Sequence, residues 1–207
     1  MTRIVKKPHE RRKELIEAAW ELFQINGYAA TTVEAIIRKT GIAKGTFYYY
    51  YQSKEDILAA VVHSLLERVV EEARTVSSNP AMSALEKLRF LLGGQSPSVS
   101  DAQNIAESLH HTENRELHEK INVETILKLS PIIAEVVEQG IGEGVFHADN
   151  VLETIQFLLS GSQFLFEQGL FSWSVEELMI RQKAMEAIIE RSLGAERGTF
   201  SFLTERL

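Results

Sequence analysis

Residues 41–54 read G-I-A-K-G-T-F-Y-Y-Y-Y-Q-S-K and gather the side chains best suited to a polyanion. Four of the chain's five tyrosines lie side by side here, between Lys44 and Lys54. A lysine neutralises phosphate, and a tyrosine hydroxyl donates to phosphate oxygens. A threonine bonds phosphate or a base edge, or meets a thymine methyl. Gly45 lets a backbone come close to whatever is bound. At a spacing of four, Ala43, Phe47 and Tyr51 share one helix face, which should point into a small core. Lys44, Gly45, Thr46, Tyr48 and Tyr49 then face outward, with Tyr50 at the border. One face cannot bury four consecutive tyrosines, so the run is more than a core cluster. Lys54 opens the following helix beside Glu55 and Asp56. A cation in a first turn opposes the helix dipole and calls for an external anion, a part that phosphate would fill.

A second group is Glu107, His110, His111 and His118. Glu107 and His111 stand at i, i+4 and share a face, where they could ligate a metal or form the polar part of a pocket. The spacing is generic. There is no H-E-x-x-H, no G-x-S-x-G and no phosphate-cradling glycine loop, and Gly140, Gly142 and Gly144 follow no strand. No metal, cofactor or catalytic residue is assigned. Two rival readings stay open: a metal-dependent helical enzyme using Glu107, His110 and His111, and a helical adaptor whose basic head binds an acidic protein.

The elements that must position these groups are helical throughout. Leu15, Ala18, Ala19, Leu22 and Phe23 give a first helix over about residues 9–26, closed by Gly27. Thr31 and Glu34 have capping-box spacing ahead of a short second helix whose inner face is Val33, Ile36 and Ile37. Gly41 permits a sharp turn, Ile42 plugs the gap, and a third helix starts near Ala43. Short helix, glycine turn, second helix is the sequence form of a helix-turn-helix. Ser53 caps a fourth helix that runs to about residue 76, with Ile57, Val61, Leu65 and Val69 on its inner stripe. Further helices are expected over 81–92, 101–111 and 115–140, the last interrupted by Pro131. A glycine-rich flexible turn should follow it. Residues 150–168 are apolar nearly all round and so need cover on several sides. Ser174 caps the last long helix, with Leu178, Met185, Ile188, Ile189 and Leu193 as its stripe. Residues 195–207 give no pattern.

Charge follows the same division. The net charge of −7 hides ten Lys/Arg against six Asp/Glu in residues 1–55, and twelve against twenty-three in the remainder. Such asymmetry suits a basic segment that meets a polyanion while the rest stays soluble. The absence of cysteine excludes disulfides and thiolate metal sites and fits a reducing compartment. The N-terminus lacks the apolar stretch of a secretory signal. The longest uncharged helical run, Thr154 to Phe166, is shorter than the ~18–20 residues a membrane span needs. The expectation is a cytoplasmic protein with no membrane partner.

The run T-T-V-E-A-I-I-R-K-T-G-I-A-K-G-T-F-Y-Y-Y-Y-Q-S-K-E-D-I-L resembles the DNA-binding signature of the tetracycline-repressor (TetR/AcrR) family, over roughly residues 10–62. The resemblance implies an all-α homodimer of about nine helices. Its domains would be a helix-turn-helix DNA-binding domain, 1–53, and a helical regulatory and dimerisation domain, 54–207. Carried over by position, Thr32, Lys44, Thr46, Tyr48, Tyr49, Tyr50 and Lys54 would contact a palindromic operator in double-stranded DNA, and Gly45 would let the reading helix approach it. Where such proteins often have a histidine between the aromatics, this chain has Tyr49. The implied function is a transcriptional regulator, a repressor released by a small apolar or amphipathic effector. Beyond residue 62 the likeness is one of architecture. Glu107, His110, His111, Phe157 and Phe164 are assigned to the effector pocket. Ile155, Leu158, Leu159, Ser162, Met185, Ile188 and Ile189 are assigned to a four-helix seam with a second copy.

Overall fold

Leu15, Ala18, Ala19 and Phe23 are buried along one side of α1 (Pro8–Asn26) in the computed structural model, which describes residues 7–93, 114–167 and 170–204. Pro8 suits the first helical position, because its missing N–H is one that the helix would leave unpaired anyway. α2 (Val33–Thr40) and α3 (Lys44–Tyr50) follow, and Gly41 takes the left-handed conformation between them, at φ 65°. Ile36, Phe47 and Tyr51 are buried, and α4 (Lys54–Ser77) follows. The capping threonine is Thr32, not Thr31: the Thr32 hydroxyl accepts from the Ala35 N–H at 3.1 Å. Thr31 is buried, and its hydroxyl lies 2.8 Å from the Gly27 carbonyl and 3.1 Å from that of Leu22. It satisfies the carbonyls at the end of α1, a task the capping-box spacing concealed.

The chain forms two compact units, with the division at Glu67/Arg68 falling inside α4. In the second unit come α5 (Ala84–Leu92), most of α6 (Arg115–Gly142), α7 (Val151–Leu165), α8 (Val175–Ser192) and a 3₁₀ turn, Ser201–Leu203. The protein is all-α. The helix expected over 101–111 lies outside the described residues. Ser83 with Glu86, and Ser174 with Glu177, form reciprocal capping boxes. These bonds hold both carboxyls below the usual carboxylate range.

Leu88, Val137, Phe146, Ile155, Leu193 and Phe200 form the heart of this unit's core. The glycine-rich segment is no flexible turn at its start. Gly140 lies within α6, and a Cβ there would sit 2.2 Å from the buried Phe146 ring. Its missing side chain is what lets Phe146 fold back onto the helix. The C-terminal segment, patternless in sequence, closes the core with Phe200 and Phe202. It is held by a buried carboxylate: Glu190 on α8 accepts from the Gly198 N–H at 2.6 Å and the Phe200 N–H at 3.3 Å. A second buried charge, Lys87, donates to the Ser77 carbonyl at 2.6 Å and to Gln139 Oε1 at 2.7 Å, joining the end of α4 to α5 and α6. Among the described residues, no helix is long and apolar enough to cross a membrane.

Candidate functional site

The first unit presents α3 outward along one side. Phe47 is fully buried and Tyr51 nearly so, while Tyr48 is 43 % and Tyr49 79 % exposed and Tyr50 is intermediate. The Tyr49 and Tyr50 rings meet edge to face at 4.9 Å, and Tyr48 leans edge to face on Phe47 at 5.4 Å. The buried ring thus braces an exposed one. A Cβ on Gly45 would meet nothing within 4 Å, so the backbone there is open to close approach. Lys44 is exposed. Its Nζ lies 3.2 Å from Glu34 Oε1 and 5.9 Å from the centroid of the Tyr48 ring. Glu34 is held below the ordinary carboxylate range, chiefly by its own backbone N–H and then by Lys44. An exposed pair of this kind contributes little to stability and is readily exchanged for an external anion.

Lys54 corrects the expectation made for it. Its ammonium donates to the carbonyls of Tyr28 at 3.0 Å and Ala29 at 3.3 Å, and it stands 4.3 Å from the centroid of the Tyr28 ring. Its charge in a first helical turn is therefore answered by two carbonyl dipoles and a π face within the fold. The next residue takes part, since Tyr28 donates its hydroxyl to Glu55 at 3.2 Å. Together Lys54 and Glu55 tie the turn after α1 to the start of α4.

The second unit holds a cavity of about 270 Å³, lined from α5, α6, α7, α8 and the C-terminal turn. Its wall includes Leu88, Ile133 and Val137 with Ile155, Leu158, Leu159, Ser162, Met185 and Ile189. These last six are residues that the sequence reading placed at a dimer seam. Phe157 and Phe164, expected in the pocket, are instead 80 % and 59 % exposed. Helical rotation separates the two sets. With about 100° per residue, 155, 158, 159 and 162 fall together, and 157 and 164 fall on the opposite side. Ile188 is also exposed, on the outer side of α8 with Ile180. Glu107, His110 and His111 lie outside the described residues.

Comparison with known proteins decides what kind of chain this is. A model described as bacterial regulatory proteins, tetR family, matches residues 15–61, and one described as tetracyclin repressor-like, C-terminal domain, matches 98–188. A Bacillus subtilis relative, the fatty acid metabolism regulator protein, is 30 % identical over 150 residues, covering 68 % of this chain and 76 % of that one. The chain belongs to the tetR family. It is a DNA-binding transcriptional regulator, not an enzyme. The transcriptional repressor KstR2 of Mycobacterium tuberculosis is 26 % identical over 162 residues, 72 % of this chain and 76 % of that protein. Among solved structures, a transcriptional regulator from Cytophaga hutchinsonii shares the fold with a TM-score of 0.63 at 19 % identity, covering 94 % of this chain and 97 % of that one.

Within this tetR-family chain, two structural features escaped the sequence reading. Gln182 lines the cavity, a position that the stripe of apolar residues on α8 did not single out. Its i, i+3 spacing to Met185 and i, i+7 spacing to Ile189 was the available signal. The second is a surface aromatic ladder. Phe171 stacks on Trp173 at 5.0 Å and meets Phe164 edge-on at 5.5 Å, and the Arg181 guanidinium lies 3.3 Å from the centroid of the Trp173 ring.

Proposed function

We propose that the protein is a homodimeric repressor that reads a palindromic DNA site through α3 and releases it when a small apolar or amphipathic effector occupies the cavity. The observation that carries the reading is the exposed row of Lys44, Tyr48 and Tyr49, with half-buried Thr46 among them, beside the open backbone of Gly45. Lys44, Thr46 and Tyr49 read or abut bases, while Thr32, Tyr48, Tyr50 and Lys54 hold the backbone. Residues 1–53 read DNA, and residues 54–207 regulate and dimerise. Two copies of α3 would enter successive major grooves about 34 Å apart. The relatives' names support both halves, one a repressor and the other a regulator of fatty acid metabolism. An effector needs only a higher affinity for one separation of the two heads. The outer faces of α7 and α8, with Phe157, Phe164, Ile180 and Ile188 exposed, form the dimer seam in place of the cavity-lining set.

Two lysine variants test the DNA surface. The site is first selected from a random DNA pool, and affinity is then measured against salt. Lys44→Ala should lower the salt slope by about one with the melting temperature unchanged, because its side chain is exposed. Lys54 has three donors, and two are engaged within the fold. Lys54→Ala should therefore lower the slope by about one and also lower the melting temperature. An unchanged slope in both variants would remove α3 and the start of α4 from the phosphates. Tyr49→Ala should alter sequence preference as well as affinity. If preference stays as in the wild type, Tyr49 only positions the helix.

A further inference from the structure

Lys44, the first residue of α3, is paired from a different helix. Glu34, at the second position of α2, places Oε1 3.2 Å from the Lys44 Nζ, and the centroid of the Tyr48 ring lies 5.9 Å from the same ammonium. The dipole of α2 accounts for an acid in its first turn. It does not account for a bond that ties this acid to the reading helix. Both side chains stay more than half exposed, so the pair adds little to stability. What the pair does fix is a pattern. It presents a donor and an acceptor side by side, and Lys44 shares its helix face with the exposed Tyr48, four residues on.

The major-groove edge of DNA carries the complementary pattern. In a G·C pair guanine O6 accepts and cytosine N4 donates, and the two atoms lie about 2.9 Å apart because they bond to each other. A lysine donates to guanine O6 and N7, and a glutamate accepts from cytosine N4. With three donors, the Lys44 ammonium can keep its bond to Glu34 and still offer two to guanine. A T·A pair keeps the same order of acceptor and donor but offers a methyl group where guanine offers a second acceptor, so it ranks below G·C. Inverting the pair sets an amino group against the ammonium and a carbonyl against the carboxylate. Phosphate brings acceptors and negative charge only. Lys44 is satisfied by it, whereas Glu34 is repelled.

Resting on the reading that α3 enters the major groove, we propose that Glu34 is a specificity-determining residue: with Lys44 it reads one G·C pair in each half-site, Lys44 on guanine and Glu34 on cytosine, and its charge weakens binding wherever phosphate alone is offered. Lys44 supplies affinity, and Glu34 sets the condition on it.

The test uses the full-length protein and three kinds of duplex: the site selected from a random pool, the same site with each G·C pair of one half-site inverted in turn, and a scrambled duplex of equal length and composition. Affinities are read by fluorescence anisotropy at about 0.15 M salt. For the wild type, inverting the pair read by Lys44 and Glu34 should cost about thirty-fold, the middle of the range for one wrong base pair. Glu34→Ala should cut that one penalty to about five-fold, the part that Lys44 retains, and leave the other inversions as they are. It should also bind the scrambled duplex about ten-fold tighter, through loss of one partly screened like-charge contact. Glu34→Gln, which keeps the size and drops the charge, should tighten scrambled binding by the same amount. Glu34→Asp keeps the charge and should bind the scrambled duplex as the wild type does. Since Glu34 is exposed, each variant should fold normally. If Glu34→Ala lowers no inversion penalty, or binds the scrambled duplex no tighter, the inference is overturned. It is overturned too if Glu34→Asp binds the scrambled duplex as tightly as Glu34→Gln, because charge is then not the agent. Lys44→Ala separates these failures from that of the underlying reading. Where Lys44→Ala lowers the salt slope, α3 is on DNA and only the role of Glu34 has failed. Where neither Lys44→Ala nor Glu34→Ala changes binding to any duplex, the reading of α3 falls and this inference with it.

Discussion

Glu190→Ala is expected to destabilise the protein by about 3 kcal/mol. It removes the acceptor of two backbone amides and leaves them buried, at about 1–3 kcal/mol for each unmade bond to a charged group. In a chain of this size that lowers the melting temperature by roughly 6–12 °C. The loss should exceed that of deleting an exposed acid on the same helix, such as Glu176, because the carboxylate does more than bond. It fixes the turn at Gly198, where φ is 89°, and so aims Phe200 at Phe146, their rings stacked 6.0 Å apart. Glu190→Gln keeps one acceptor oxygen and should lose about a third as much. Thermal melts followed by circular dichroism check both. A wild-type melt from Glu190→Ala would mean that the C-terminal segment is held by its aromatic packing alone.

That segment shows where sequence reading stops. Helices α1 to α4 were legible because each has one buried face, so apolar spacing, the Gly41 turn and the Ser53 cap all gave the same answer. Residues 195–204 make no regular helix long enough for a period, and two phenylalanines among polar residues fit a solvated tail as well as a core plug. The anchor is a glutamate eight residues upstream of Gly198, on a helix whose other acids are mostly exposed. Nothing in its spacing separates it from them. The argument that Lys54 needs an external anion failed for a related reason. The dipole argument correctly found a cation out of place, but the carbonyls that answer it come from Tyr28 and Ala29, more than twenty residues away in sequence. The α7 helix was under-determined for a third reason. A segment apolar on every side carries no amphipathic signal, so periodicity says it is covered without saying which side meets a cavity. Rotation about its axis is set by neighbours: Gln182, Met185 and Ile189 of α8 share the cavity with Ile155, Leu158 and Leu159.

That rotation makes the most sensitive test of assembly. Phe157→Glu should dissociate the dimer. At 80 % exposure in the single chain, the ring gives up little internal packing, so the variant should fold with a near-normal melting temperature when assembly is discounted. In a two-fold interface each substitution occurs twice, and the two new carboxylates lie in the same apolar seam. Burying each without a partner costs several kcal/mol, so a total of at least 4 kcal/mol is a conservative expectation. That corresponds to a dimer dissociation constant raised about a thousand-fold. Sedimentation equilibrium at micromolar concentration should then find monomer. Affinity for a two-half-site DNA should collapse toward that for a half-site, since the second head no longer benefits from being tethered to the first. Leu159→Ala, on the cavity side of the same helix, should leave the dimer intact and alter only what the cavity accepts. If Phe157→Glu stays dimeric while Leu159→Ala dissociates, the rotation of α7 assigned to the assembled protein is wrong by half a turn, and the cavity residues return to the seam.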